Sequence, residues 1–449
     1  MDEILEKIRQ QFDYGPYPRI SLETSPKDDL DTLFIHNLTT PYYLRYRKRP
    51  PQEVTILDAG CGSGYKALAL ALANPGARVV GIDLSEASIE LARKRLEFHQ
   101  ISNCEFHVLM IENVSELGLK FDYINCDEVL TLVPNPVEIL TALKQVLKAQ
   151  GILRVNVHNR YQRQYFFQAQ EFFSLLGLMR DNPEEFEVQT VYEIMEQLAD
   201  EVYVKRVTWE NRDRKSLGDK LNEKLSEFIL MNHLLQGDKG FTIPEFFACL
   251  EAAGLEFIEM VHWPVWRLPS LFKDPENLPA ALALAIDGAS PAEILHLLNL
   301  LHPNERLLDL WCGHPQPASP VSPSEQPLVS LHPQLCHEKV QQAWKSRLQS
   351  GLPLLLSDYL KVPVKGLFQI EEVQLDAIAL GALWPLFEGP QPFQNLLQRW
   401  LQLYPRDLLT LEPLSEEQAA GMLRELLLFL NRYLYVLLTD ESDSDATDS

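Results

Sequence analysis

The chain predicts an α/β fold built on a doubly wound parallel sheet, with a mainly helical C-terminal region after it. Three observations carry that expectation. Val54-Thr55-Ile56-Leu57 is an apolar run closed by Asp58 and then by glycines at 60, 62 and 64. A small-residue helix and a second apolar run, Val79-Val80-Gly81-Ile82, lead to a second acid, Asp83. Apolar runs and helical segments keep alternating to residue 158, as a parallel sheet requires.

Strands are expected at 54–58, 79–83, 105–109, 121–126 and 152–158, and helices at 64–73, 85–99 and 136–148. Gly151 reads as the turn into the fifth strand. The stretch 160–235 is long, charged and helical in pattern, an insertion placed where a lid would sit. Thr242 then caps a helix with Pro244 in its first turn, ending at Gly254, and Leu255 to Val261 follows as a closing strand. Residues 271–329 read as proline-broken helices and a Pro/Ser-rich linker. Within them Leu307-Leu308-Asp309-Leu310-Trp311-Cys312-Gly313 echoes the glycine turn superficially, with one glycine and a Trp, and reads as a decoy. From 330 to 438 a helical domain is expected. Its helices 374–387 and 391–403 flank Glu388-Gly389-Pro390, and its last helix carries Leu423, Leu426, Leu427, Leu430, Leu434 and Leu437 on one stripe. The acidic tail 439–449 reads as disordered.

Composition narrows the partners. At 449 residues, two or three domains are expected. A formal charge of −23 repels polyanions, and no basic stripe marks a nucleic-acid enzyme. The basic run Arg45 to Arg49 is short and reads as a solvated linker. A recognition helix at 391–403 would offer Arg399 alone to phosphates, which cannot anchor a duplex. Six cysteines stand singly, so neither a metal site nor a disulfide framework is expected, and Cys61, Cys126 and Cys249 read as small core residues. The first residues lack a signal-peptide layout, and no apolar run approaches the ~18 residues of a membrane span. A cytoplasmic protein without membrane or nucleic-acid partners is expected, with a protein partner or self-association through 330–438.

The glycine spacing separates ligands. Dinucleotide sites use G-x-G-x-x-G so that a helix N-terminus meets pyrophosphate. Here the turn is Gly60-x-Gly62-x-Gly64 with Asp58 just ahead, an acid that repels pyrophosphate and suits a cationic, amino-bearing ligand. This pattern resembles the S-adenosylmethionine site of class I methyltransferases over 54–158, and again at 241–262. The resemblance implies a Rossmann-like sheet, S-adenosyl-L-methionine as cofactor and methyl transfer by in-line displacement. It places Asp58 at the cofactor's amino end, Gly60, Gly62 and Gly64 as the wall beneath, and Asp83 on the ribose hydroxyls. Leu84 packs on the adenine, and Asn125, at the end of the fourth strand, borders the methionine part. Asp122, at that strand's start, reads as a solvent-bridging acid. Where many members have an acid after the third strand, this chain has Met110. The backbone of Ile111 and the carboxylate of Glu112 take over the adenine edge, unless Glu112 lies on a solvated face.

Candidates at the pocket mouth are Tyr14, Tyr17, His36, Tyr42, Tyr43, Asp127, Glu128 and His158. Of these, Glu128, His158 and Tyr17 are the catalytic candidates; water-satisfied His158 and packing tyrosines are the plainer alternatives. Gly15-Pro16-Tyr17-Pro18 and the helical C-terminal half also resemble a subset with a regulatory, winged-helix-like end, some of whose members methylate protein lysines. The acceptor stays open between a protein and a small molecule. Two other functions stay open as well: a catalytically silent cofactor-binding module acting through its C-terminal domain, and a nicotinamide-dependent oxidoreductase, against which Asp58 argues.

Overall fold

The computed structural model of the chain describes residues 3–210, 212–218, 220–317, 326–360 and 373–440. Its organising element is a sheet of β1 (Thr55–Ala59), β2 (Arg78–Asp83), β3 (Cys104–Val108), β4 (Phe121–Cys126), β5 (Leu147–Asn159), β6 (Gly240–Phe241), β7 (Glu256–Met260) and β8 (Leu307–Gly313). The order is β3-β2-β1-β4-β5-β8-β7, with β6 paired to the end of β5. The strands from β3 to β5 run parallel, and β8 runs antiparallel to both β5 and β7. Strand order reverses between β1 and β4, so a crevice opens at their carboxyl ends, where open α/β sheets bind ligands.

Crossover helices are set by local chemistry. The segment Tyr65–Ala73 (α4) is almost all Ala and Leu and is buried on most sides. Before α5 (Glu86–Phe98), the Ser85 hydroxyl accepts from the Ser88 N–H at 3.0 Å, an N-cap. Asn135 caps α6 (Pro136–Val146), with Pro136 at the first position. Thr242 and Glu245 form a capping box on the helix Ile243–Ala252, as the sequence implied.

The two sheet faces carry different layers. Leu57, Val80, Ile124, Leu153, Leu308 and Leu310 pack under α6, Ile243–Ala252 and Pro291–Leu301. Ile56, Val79, Tyr123, Ile152 and Trp311 face the other layer, made by α4, α5 and the helices α2 (Leu30–His36) and α3 (Thr39–Tyr46). That second core runs on without a break into the C-terminal region through Val329, Leu331, Leu434, Tyr435 and Leu437. The insertion is helical as expected, with helices Arg160–Leu175, Glu185–Gln197 and Glu223–Asn232 closing a core of their own around Val191, Trp209 and Ile229.

Several expectations need correction. Residues 307–313, read as a decoy inside a linker, form β8 in the middle of the sheet's far half. Their near-continuous apolar pattern is that of a strand buried on both faces. Gly151 lies inside β5, beside a register shift opposite β4. A Cβ there would meet the Phe121 carbonyl at 2.9 Å. Asp122 is no solvent bridge: it accepts from the Thr55 N–H and the Lys148 ammonium, both at 2.8 Å. Arg45 does not sit in a solvated linker but pairs with Glu256 of β7.

In the C-terminal region the expected helix 374–387 divides into a strand Gln374–Leu375, a helix Ala377–Leu383 and a 3₁₀ turn Trp384–Phe387. The final helix stops at Arg432, so Leu434 and Leu437 leave its stripe. Leu437 belongs to a strand, Val436–Thr439, in a three-stranded antiparallel sheet with Leu328–Leu331 and Gln391–Pro392. The acidic tail from 441 onward lies outside the described residues.

Candidate active site

The crevice above β1 and β4 has an empty volume of about 900 Å³, its open mouth included, within the ~300–1,000 Å³ usual for small-molecule sites. Gly60, Gly62, Asp83, Leu84, Ile111, Glu112, Glu128 and Tyr17 line it, all expected from the sequence. Ile8, Arg9, Phe12, Leu109, Met110, Asp127 and Val129 are among the other residues of the wall.

At one end stands Asp83, which closes β2. Its two oxygens accept the N–H groups of Gly62 and Ser85, both at 2.9 Å. A carboxylate has about four lone-pair sites, so two remain for hydroxyl donors. Burial raises its pKa while those two N–H groups hold it down. Leu84 follows on the wall, and Leu109 to Glu112 form the facing rim at the start of the 3₁₀ turn Ile111–Leu117.

Behind the lining, beneath Gly60, stands Asp58, buried at the end of β1 with Asn125 beside it; neither is among the residues that line the crevice. Its Oδ1 accepts from Asn125 Nδ2 at 2.8 Å. Its Oδ2 is buried with no hydrogen-bond partner. Burial pushes the Asp58 carboxyl up to about 7, against the pull of Asn125. Near it, Asp127 takes the Lys66 ammonium at 2.9 Å and Asn156 Nδ2 at 2.5 Å. Burial would lift Asp127, but Lys66 and Arg154 hold it well below the carboxylate range.

The glycines serve different ends. A Cβ on Gly60 would lie 2.4 Å from Val129 Cγ2, and on Gly62 2.1 Å from the Tyr17 carbonyl oxygen; both residues have positive φ. Gly64 faces away from the crevice, where a Cβ would meet Ala92 Cα at 2.7 Å. It allows α4 and α5 to approach, rather than touching the ligand space.

The catalytic candidates divide as well. Glu128, with φ +59°, projects from the turn after β4. Its N–H donates to Asn156 Oδ1 at 2.7 Å, and its carboxylate pairs with Arg306. Burial raises its pKa, but Arg306 and His158 bring it down to about 2. Glu128 is therefore an anion at neutral pH.

His158 is buried, with Nδ1 2.5 Å from Asp238 and Nε2 3.2 Å from Arg306. A guanidinium only donates, so Nε2 accepts and Nδ1 carries the proton to Asp238. His158 thus braces Glu128 and Arg306 from behind. Tyr17 lines the crevice, and the Glu128 carboxylate together with burial raises its pKa. Its hydroxyl stays protonated at neutral pH.

Arg306 and Asp238 were not singled out from the sequence. They lie about 180 and 110 residues from Glu128 in a chain whose motifs are local, and no short pattern joins them. Arg95 was missed as well: buried on α5, it donates to the carbonyls of Ser63, Ile20 and Ser21 at 2.9, 2.6 and 2.8 Å. Together with the Ser63 N–H on the Tyr17 carbonyl at 2.9 Å, it ties the segment 17–21 across the glycine turn. In front, α1 (Glu3–Tyr14) lays Ile8, Arg9 and Phe12 against the crevice, and Asp13 accepts from the Ser85 hydroxyl at 2.5 Å.

Four of the mouth candidates lie elsewhere. Tyr42 bonds the Asp122 carbonyl at the opposite edge of the sheet, and Tyr43 bonds the Leu438 carbonyl. His36 is buried against Arg154, and Tyr14 is half exposed under Arg19. Among the described residues no His/Cys/Asp/Glu group could hold a metal ion, and no helix is long and apolar enough to cross a membrane.

These residues fit S-adenosylmethionine on their own chemistry. The orphaned Asp58 oxygen asks for a cationic donor, the free lone pairs of Asp83 suit paired hydroxyls, and an apolar rim of Leu84, Leu109, Met110 and Ile111 suits a base. Comparison with known proteins agrees. Residues 51–219 match the family described as a methyltransferase domain. An uncharacterized protein of Synechococcus sp. is 25% identical over 77% of this chain and 80% of its own length. A ubiquinone biosynthesis O-methyltransferase of Pasteurella multocida is 36% identical over 28% of this chain and 56% of that enzyme. The chain spans about half the length of the curated O-methyltransferases it matches. The structure of PKMT2 from Rickettsia typhi in complex with AdoHcy superposes with a TM-score of 0.55 at 18% identity, over 95% of this chain and 78% of that one; at that identity the likeness is one of fold. Residues 51–219 are thus a methyltransferase domain, carried on the sheet and crevice described above.

Proposed function

We propose that the protein transfers the methyl group of S-adenosylmethionine to an acceptor admitted beside Glu128. When bound, that cofactor supplies an electrophilic methyl on a sulfonium, whose loss leaves a neutral thioether. The chain's task is then to bind, align and keep water out, and holding reacting atoms at ~3–3.5 Å supplies much of the barrier reduction. Asp83 grips the ribose hydroxyls, Leu84 and Ile111 sandwich the base beside Glu112, and Asp58 meets the amino group. Glu128, kept anionic by Arg306, presents its carboxylate to the donor protons of the acceptor, and the Tyr17 hydroxyl donates beside it. Helix α1 and the segment 17–21 close over the crevice.

The observation that carries this reading is the buried, unpartnered oxygen of Asp58. Calorimetry with S-adenosylhomocysteine tests it: micromolar binding that falls at least about tenfold in Asp83→Ala is expected, from loss of charge-assisted hydrogen bonds. Binding of NADH in its place would overturn it and revive the oxidoreductase alternative. Turnover is tested by tritiated-methyl transfer into a fractionated lysate, protein against small-molecule pool. Labelled protein is the outcome favoured by the exposed apolar tip Leu408, Leu409 and Leu411 (Leu409 is 95% exposed) in the C-terminal region, which suits a protein partner.

A further inference from the structure

One face of the sheet changes character along its length. Towards the amino ends of the parallel strands it presents Ile56, Tyr123, Ile152 and Trp311 to the core. Two residues on, towards the crevice, the same face carries Asp58, Asn125 and Arg154, and antiparallel β8 adds Asp309 one step beyond, level with Asn156. Asp58 is in register with Asn125, and Asn125 with Arg154. Four polar side chains in a row, three of them almost wholly buried and Asp309 nearly so, carry a desolvation cost unless every group is answered.

All but one are. Asp309 takes Arg154 Nε and Nη2 at 3.1 and 2.6 Å, a two-point grip that fixes the guanidinium plane. Arg154 Nη1 then reaches Asn125 Oδ1 and His36 Nε2, each at 3.3 Å. His36 passes its other ring proton to the Thr32 carbonyl at 2.7 Å. Because Arg154 only donates, it admits only the Asn125 rotamer whose oxygen faces it. A flipped amide would set N–H against N–H on one side and oxygen against the Asp58 carboxylate on the other. Asn125 Nδ2 must therefore point at Asp58 Oδ1, which leaves Oδ2 as the row's single unanswered atom. Charge tells the same story: Arg154 is matched by Asp309 and Lys66 by Asp127, while among the described residues Asp58 has no ion-pair partner of its own.

We infer that Arg154 and Asp309 are positioning residues for the amino end of the cofactor, holding Asn125 so that Asp58 offers one free oxygen to a ligand ammonium. The inference rests on the cofactor reading above and adds residues to it. Asp309 comes from β8, beyond the family-matched segment, so the sheet's far half takes part in recognising the methionine moiety.

The test compares two ligands that differ in that moiety: S-adenosylhomocysteine, which has the amino acid group, and 5′-methylthioadenosine, which lacks it. The protein is the full chain and its double variant Arg154→Met/Asp309→Leu. Removing both partners of a buried pair leaves no stranded charge, so the fold should survive. Calorimetry should show S-adenosylhomocysteine weakened about tenfold or more, with methylthioadenosine changed less than about twofold. If the double variant fails to fold, Arg154→Lys is read by the same ratio, since an ammonium cannot reach Asp309 and Asn125 together. A parallel loss of both ligands would mean a merely structural row and would overturn the inference, as would no loss of either. If the unaltered protein bound neither ligand, the cofactor reading itself would fall first.

Discussion

At the scale of single residues, the site works by placing acids in different surroundings. Asp58 is lifted by burial to about 7, whereas Glu128, partly exposed on the crevice wall, is held near 2 by Arg306 and His158. The groups around Asp58 are Asn125, Asp127, Lys66 and Asp83, so its rise is set by desolvation with two like charges near. A carboxyl whose folded pKa exceeds its unfolded value costs stability as pH rises between the two. Without ligand, Asp58→Asn should therefore melt about 3 °C or more above the parent at pH 8, with the gap narrowing as pH falls towards the unfolded value of 3.8, while losing S-adenosylhomocysteine binding. A variant that melts like the parent throughout would show Asp58 to be solvated. Arg306→Leu takes away the charge that holds Glu128 down, leaving burial to raise it. A methyl-transfer profile that gains an ionisation between pH 5 and 8 is expected, and an unchanged profile would exclude the pairing. Asp58, Asp83 and the glycines were legible in the sequence because they sit on one contiguous strand–turn–helix–strand motif. Arg306, Asp238 and Arg154 were not, because a buried partner is chosen by fold and not by spacing. His158 was noticed for its place at the ligand edge of β5, where it lies between Asp238 and Arg306.

At the scale of elements, the closure of the crevice depends on a short extended segment more than on the insertion. Arg95 spends its donors on three carbonyls, and burial lowers its pKa. Arg95→Leu should release residues 17–21. Faster amide exchange there, a fall of several-fold in cofactor affinity and little change in β4 or β5 would be the signature; unchanged exchange would assign the closure to α1 alone. The parallel half of the sheet was predicted strand by strand, since apolar runs ending in acids and capped helices are local signals. β8 escaped because its glycine and its position after a long helical stretch suggested an imperfect repeat. Its alternation is invisible when both faces are covered. The last helix was drawn too long for a related reason: Leu434 and Leu437 keep a helical interval while the chain turns at Leu434, with φ +56°.

At the scale of the molecule, the C-terminal region is built into the methyltransferase core. The Tyr43 hydroxyl donates to the Leu438 carbonyl and accepts from the Leu438 N–H, each at 3.1 Å. Thr40 meets His332 at 3.0 Å, and His332 also packs on Phe34; burial brings that imidazole down to about 3. Differential scanning calorimetry of the full chain should thus give one main transition joining the two regions, and two well-separated transitions would contradict a shared core. Domain limits at 270 and 330 looked natural in the sequence because prolines and serines cluster between them, a composition that marks a loop without saying what lies beyond it. The continuity has a practical corollary for anyone who expresses the family-matched segment 51–219 by itself. Such a fragment ends before β8 is made, so residues 152–158 of β5, paired with β8 in the whole chain, would become a bare, largely apolar margin. Margins of that kind recruit further copies, and the fragment would be found in the pellet rather than in the assay.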